Sequence, residues 1–200
     1  MNTDTTFHPT LAGTIWPADG AARVLRAPLL VLAGTALLVL AAKVQIPFYP
    51  VPMTMQTLVV LLLGTAYGWR LGASTVLFYL ALGAIGLPIF AGTPEKGIGI
   101  AYMMGGTGGY LLGFVLAAAA CGKMAELGWD RRPTTAAAAM LLGNALIYVP
   151  GLLWLGSLLG WDKPILEWGL TPFLIGDAMK LALAAVLLPL AWKLVGKARG

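Results

Sequence analysis

Apolar residues gather into six blocks separated by short breaks, near residues 27–43, 54–69, 71–88, 107–126, 135–160 and 172–193. A bilayer core about 30 Å thick takes about 20 apolar residues per helix, so six spans use about 120 residues and leave only short connections. The breaks have the right chemistry. Pro47-Phe48-Tyr49-Pro50-Val51-Pro52 cannot continue a helix and predicts an extended first loop. Gly92-Thr93-Pro94-Glu95-Lys96-Gly97 predicts a third loop longer than the hairpin between the second and third helices, and Trp161-Asp162-Lys163-Pro164 a fifth. Thr171-Pro172 predicts the start of the sixth helix, with Thr capping an orphan N–H and Pro at the first helical position.

Composition agrees with this pattern. Of 200 residues, 59% are hydrophobic and 10% charged, against about 25% charged in a soluble domain. The expected fold class is an all-α integral membrane protein of six transmembrane helices. Its expected organisation is a polar cytoplasmic tail over residues 1–26, with Asp4, Asp19, Arg23 and Arg26, followed by one six-helix domain over residues 27–200. The run after Arg26, with Ala41 and Ala42 near its end, resembles a signal-peptide core. The long preceding region and the five apolar blocks that follow argue for a retained helix. Cys121 is the only cysteine and His8 the only histidine, which leaves no disulfide framework, Cys/His metal site or Ser-His-Asp triad.

The net charge of +5 is scattered between apolar blocks and forms no nucleic-acid patch. It reads as topology. Arg23, Arg26, Arg70, Lys123, Arg131, Arg132, Lys193, Lys197 and Arg199 fall on one side of a six-span chain, and Lys43, Lys96 and Lys163 on the other. Nine against three places both termini in the cytoplasm of a cell membrane, with loops one, three and five outside.

The remaining basic residue, Lys180, lies inside the sixth block beside Asp177. Counting from Pro172, the two sit about 8 Å and about 12 Å below the outer end. An ionisable group in a span costs roughly 2.5 to 3.5 kcal/mol, and spacing i, i+3 puts both on one face. Two readings compete: a structural ion pair fixing helix packing, or a carboxylate and an ammonium that meet the polar group of a ligand.

Other polar residues divide the same way. Gly105, Gly109, Gly113, Ala117 and Cys121 form a small-residue stripe on the fourth helix that allows close backbone approach. Glycines at its outer end, beside the aromatic face of Tyr110, equally expose backbone to a ligand. Thr54 and Gln56 follow the proline-rich loop and are candidates to bond a ligand from above. Thr54 is equally a cap for the second helix, and Gln56 a satisfied core residue. Asn144 and Tyr148, one turn apart in the fifth block, either extend a polar pocket or make interhelical bonds. Lys96 is a solvated loop residue or a ligand contact. Phe48, Tyr49, Trp161 and Trp168 fit an interfacial aromatic belt.

Four ordered motifs carry a family resemblance over residues 27–195: Pro50-Val51-Pro52-Met53-Thr54-Met55-Gln56-Thr57, Gly83-Ala84-Ile85-Gly86-Leu87-Pro88-Ile89-Phe90, Thr107-Gly108-Gly109-Tyr110-Leu111-Leu112-Gly113-Phe114, and Pro172-Phe173-Leu174-Ile175-Gly176-Asp177-Ala178-Met179-Lys180. In these the chain resembles BioY, the biotin-binding S component of energy-coupling factor (ECF) vitamin transporters. The resemblance implies six helices whose outer loops and fourth to sixth helices enclose biotin as the transported ligand, with no cofactor. It implies that Asp177 and Lys180 lie near the ureido head, with Thr54, Gln56 and Tyr110 next. Lys96 stands where family members have an Arg that can meet the valerate carboxylate. It further implies a transmembrane coupling protein and two ATPase subunits as partners. The family's Gly-Pro-Thr before the fourth helix reads Gly105-Gly106-Thr107 here, which implies a looser loop. Its Ala-xxx-Ala docking pattern finds no strict match among Ala33, Gly34, Ala36, Ala41 and Ala42.

Two other function classes remain open on sequence alone. A self-sufficient, proton-coupled transporter using Asp177 as relay fits the intramembrane charge but lacks a supporting repeat. A membrane enzyme lacks a set of nucleophile, base and orienter. No GxxxxGK[ST] loop occurs, so ATP hydrolysis would belong to other subunits.

Overall fold

In chain order the helices are α1 (Leu11–Ile15), α2 (Gly20–Lys43), α3 (Gln56–Tyr67), α4 (Trp69–Ala84), α5 (Gly99–Met103), α6 (Gly108–Glu126), α7 (Pro133–Leu159), α8 (Ile165–Gly169) and α9 (Leu174–Lys197). A two-stranded antiparallel ribbon pairs β1 (Gln45–Ile46) with β2 (Met53–Thr54). This computed structural model describes residues 8–18, 20–47 and 49–197. Asp4, Asp19, Phe48 and Arg199, with the side chains of Arg23 and Lys197, lie outside the described residues.

Six of these helices, α2, α3, α4, α6, α7 and α9, stand where the six apolar blocks run. Val24–Lys43, Gly108–Glu126, Pro133–Leu159 and the run Ile165–Gly196 are long and apolar enough to cross a membrane. α3 and α4 have 12 and 16 residues. They measure about 18 Å and about 24 Å at 1.5 Å per residue, short of a bilayer core. They break at Gly68, which has a φ of 83°, a conformation that favours glycine. The Glu126 carboxylate then accepts the first N–H of α4, from Trp69, at 3.2 Å.

α6 is the central element, packed on α7, α3 and α4, while α2 lies against α4 and α9 against α7. The exterior is inverted relative to a soluble protein. Val24, Leu25, Leu29, Leu32 and Leu40 on α2, and Ile175, Met179, Leu183, Val186 and Leu190 on α9, are all exposed. Apolar surface that continuous is a membrane-facing surface. Tyr49 and Trp161 are 83% and 63% exposed, as interfacial aromatics would be.

Two local expectations change. The first 26 residues are not all polar tail: α1 packs on α3 and α9, Leu11 is buried, and α2 begins at Gly20. The Thr171 hydroxyl does not cap the last helix but donates to the Leu166 carbonyl at 3.2 Å. A 3-10 turn over Thr171–Phe173 leads into α9 instead.

Candidate functional site

At the ribbon end of the bundle a small, partly open cavity lies between α3, α6, α7 and the adjoining loops. Its wall is largely apolar and aromatic, with Tyr102, Tyr110, Phe114, Tyr148 and Phe173, and polar groups come from Thr54, Gln56, Thr57 and Thr107. An apolar cleft with a few convergent polar groups is the usual form of a small-molecule site.

Behind Thr57 and Tyr148 lies the charged pair. Asp177 is 5% exposed. Its Oδ1 accepts from Lys180 Nζ at 3.0 Å and from the Thr57 hydroxyl at 3.3 Å, and its Oδ2 accepts from the Tyr148 hydroxyl. Lys180 Nζ also donates to the Thr54 carbonyl at 2.8 Å and to Thr57 Oγ1 at 2.9 Å. The ammonium therefore spends its three protons within the protein. Four segments meet here: β2, α3, α7 and α9. The two charges are not themselves part of the cavity wall. They are linked to it by Thr57 and Tyr148, whose hydroxyls bond the pair and which are themselves wall residues.

Gln56 and Thr54 are both wall residues, and each also has the quieter role. The Thr54 hydroxyl accepts the Gln56 N–H at 3.2 Å, a cap for α3, and Gln56 Nε2 donates to the Tyr79 hydroxyl at 2.8 Å. Tyr110 lies in the wall, with its hydroxyl anchored on the Gly169 carbonyl at 2.8 Å and its ring edge-on to Tyr148. Asn144 is buried one turn before Tyr148 on α7 and does not border the cavity, and its Oδ1 has no hydrogen-bond partner among the described residues. Lys96 is exposed on its loop, away from the wall, with its stem lying over Gly92.

The glycines at the start of α6 serve packing. Gly105 gives its carbonyl to Trp154 Nε1 at 2.8 Å. A Cβ on Gly109 would lie 2.3 Å from the Pro150 oxygen, and one on Gly113 2.6 Å from Ile147 Cα. Thr57, Tyr79 and Phe173 were not singled out from the sequence. Thr57 closes the first motif and Phe173 is the second residue of the last, so their signal is position within a motif. Tyr79 sits in a uniformly apolar helix and had none.

The BioY family model matches residues 12–197. A probable biotin transporter BioY of Pyrococcus horikoshii is 36% identical over 152 residues, 76% of this chain and 87% of that protein. The biotin transporter BioY of Thermotoga maritima is 37% identical over 155 residues, 76% of this chain and 88% of that protein. A crystal structure of the S-component for biotin from an ECF-type ABC transporter superposes with a TM-score of 0.71 at 23% identity, covering 88% of this chain and 95% of that one. The fold is therefore that of an S component.

Proposed function

The chain belongs to the BioY family, and from that premise we propose that it captures biotin outside the cell for uptake, as the substrate-binding subunit of an ECF-type transporter. The relatives named as biotin transporters support the ligand, and the S-component fold supports the role. The observation that carries the reading is the apolar cavity backed by the bonded set of Asp177, Lys180, Thr57 and Tyr148.

The chemistry matches. Biotin's fused rings are apolar, and its ureido group presents a carbonyl acceptor between two N–H donors. In this reading the rings lie among Tyr110, Phe114, Tyr148 and Phe173, and the ureido group meets Thr57 and Tyr148. The Tyr148 hydroxyl donates to Asp177, which enriches its oxygen as an acceptor for a ureido N–H. Lys180 donates to Thr57 and polarises it in the opposite sense, so that its hydroxyl proton, on turning from Asp177 to the ligand, serves the ureido carbonyl. Chains of this kind strengthen each member. Gln56 and Thr54 complete the polar side, Lys96 meets the carboxylate tail on loop movement, and Asn144 supports α7 from behind. Energy for transport comes from partner subunits, a transmembrane coupling protein and two ATPases.

Isothermal titration of the purified chain tests this. Biotin and desthiobiotin, which share the ureido group, should bind, and thiamine should not. Asp177→Asn and Tyr148→Phe should each weaken biotin about 10- to 100-fold, since each leaves a buried polar partner unpaired. Unaltered affinity in both variants removes the network from the site, and no heat with biotin removes the ligand.

A further inference from the structure

The loop between α4 and α5 is held by a side chain from another element. Lys43 ends α2, and its Nζ donates to the carbonyl oxygens of Pro88 at 2.9 Å, Phe90 at 3.1 Å and Thr93 at 3.4 Å, and to Thr93 Oγ1 at 3.1 Å. An ammonium has three protons to give, so one short loop has curled its oxygens around this cation. Thr93 Oγ1 tightens the curl by donating to the Phe90 carbonyl at 2.7 Å. The loop also has an independent root. The Phe90 ring is 1% exposed, stacked on Tyr102 at 4.8 Å and edge-on to Tyr79 at 5.4 Å. Tyr79 in turn donates to the Ile89 carbonyl at 3.3 Å.

Lys43 stands between two pieces of the cavity wall. The ribbon that follows it leads to Val51, Pro52 and Thr54, and the loop it holds brings in Ala91, with Tyr102 just beyond. All its acceptors are protein atoms, and it does not itself border the cavity.

We propose that Lys43 is a positioning residue that straps the α4–α5 loop across the cavity and sets how fast biotin enters and leaves. The inference rests on the biotin reading. Because the strap bonds only protein, its strength is the same with the cavity filled or open, so it has no differential energy with which to change affinity. It slows loop opening, and opening is common to entry and exit. That kinetic signature separates a strap from a ligand contact, which would change Kd, and from a purely structural residue, which would change neither rate.

The test is radiolabelled biotin exchange on the full chain in nanodiscs, with amide hydrogen exchange of residues 91–97. In Lys43→Met, association and dissociation should both accelerate about tenfold, the size expected for partly exposed charge-assisted bonds, with Kd within about threefold of wild type. Amide exchange of the loop should quicken in step. Lys43→Arg, which keeps a multi-donor cation, should restore most of the wild-type rates. If Lys43→Met does not fold, Thr93→Val removes one strap acceptor and should give a smaller rise, about threefold. Unchanged rates and loop exchange in a folded variant overturn the strap, as does a fall in affinity carried by faster dissociation at constant association rate. Failure of wild type to bind biotin is a separate outcome that removes the functional reading, and the loop-exchange arm still decides the strap.

Discussion

Asp130 lies far from the cavity, in the short turn between α6 and α7, yet is 1% exposed. Its Oδ2 accepts from Trp192 Nε1 at 2.6 Å, while its Oδ1 has no hydrogen-bond partner among the described residues. Burial pushes its carboxyl above the ordinary value of 3.8, against the opposing pull of the Trp192 bond, its own backbone N–H, and the charges of Arg131 and His8. The sign follows directly. The folded chain holds this proton more tightly than the unfolded chain, so the contribution to stability is full below the ordinary carboxylate range and is lost as pH rises through the folded-state value. Asp130→Asn keeps a carbonyl acceptor for Trp192 and never ionises. Its melting temperature should exceed that of wild type by about 2–4 °C at pH 8, with the gap closing toward pH 4. A variant that melts below wild type at pH 8 would show that the buried charge is net stabilising.

The same scale shows what a sequence carries about a buried polar group. Asp177 and Lys180 were legible because charge inside an apolar block is expensive, and their i, i+3 spacing was enough to pair them. That they reach the cavity only through Thr57 and Tyr148 was not legible, because β2, α3, α7 and α9 come together only in three dimensions. Lys43 was counted as a loop charge, since nothing in its neighbours along the chain announces that oxygens 45 to 50 residues away will surround it.

At the scale of elements, the seam between α6 and α7 brings backbone against backbone at Gly109 and Gly113. The small-residue stripe predicted this seam, because only spacing along one helix was needed to see it. Pro28, Pro150 and Pro189 are all accommodated inside long helices, as is common where neighbouring helices re-satisfy the freed backbone groups. The five-residue helices α1, α5 and α8 were not foreseen, since they are too short to show a hydrophobic period. The seam gives a sharp expectation. A Cβ at position 113 would sit 2.6 Å from Ile147 Cα and 2.8 Å from the Ile147 carbonyl oxygen, and backbone cannot swing aside as a side chain can. Gly113→Ala should cost about 1–3 kcal/mol of stability in a detergent unfolding titration, and Gly113→Leu should fail to assemble. Biotin binding should fall with it, because Tyr110 on α6 and Tyr148 on α7 face the same cavity. Wild-type stability in Gly113→Leu would mean that α6 and α7 are not held this closely.

For the whole molecule, orientation decides which solution the cavity samples. The ribbon, the α4–α5 loop and α8 share one end with the cavity, and Lys43, Lys96 and Lys163 lie there. The opposite end carries Arg70, Lys123, Arg131, Arg132 and Lys193. Charge asymmetry of this sign predicts that the ribbon end faces outside, the orientation our proposal requires, because basic loops are retained in the cytoplasm. Cys121, at 0% exposure, gives a silent background for mapping. Lys96→Cys and Lys193→Cys, both at exposed positions, then report the two ends. A membrane-impermeant maleimide should label position 96 in intact cells and position 193 only after the membrane is disrupted. The reverse pattern would turn the cavity toward the cytoplasm, where a capturing subunit could not collect an external vitamin. The labelled Lys96→Cys chain carries a second readout, since bulk added to the loop strapped by Lys43 should slow biotin entry. Uptake that follows ATP and ignores collapse of the proton gradient would then assign the driving force to partner subunits. Dependence on the gradient alone would return Asp177 to the role of a proton relay.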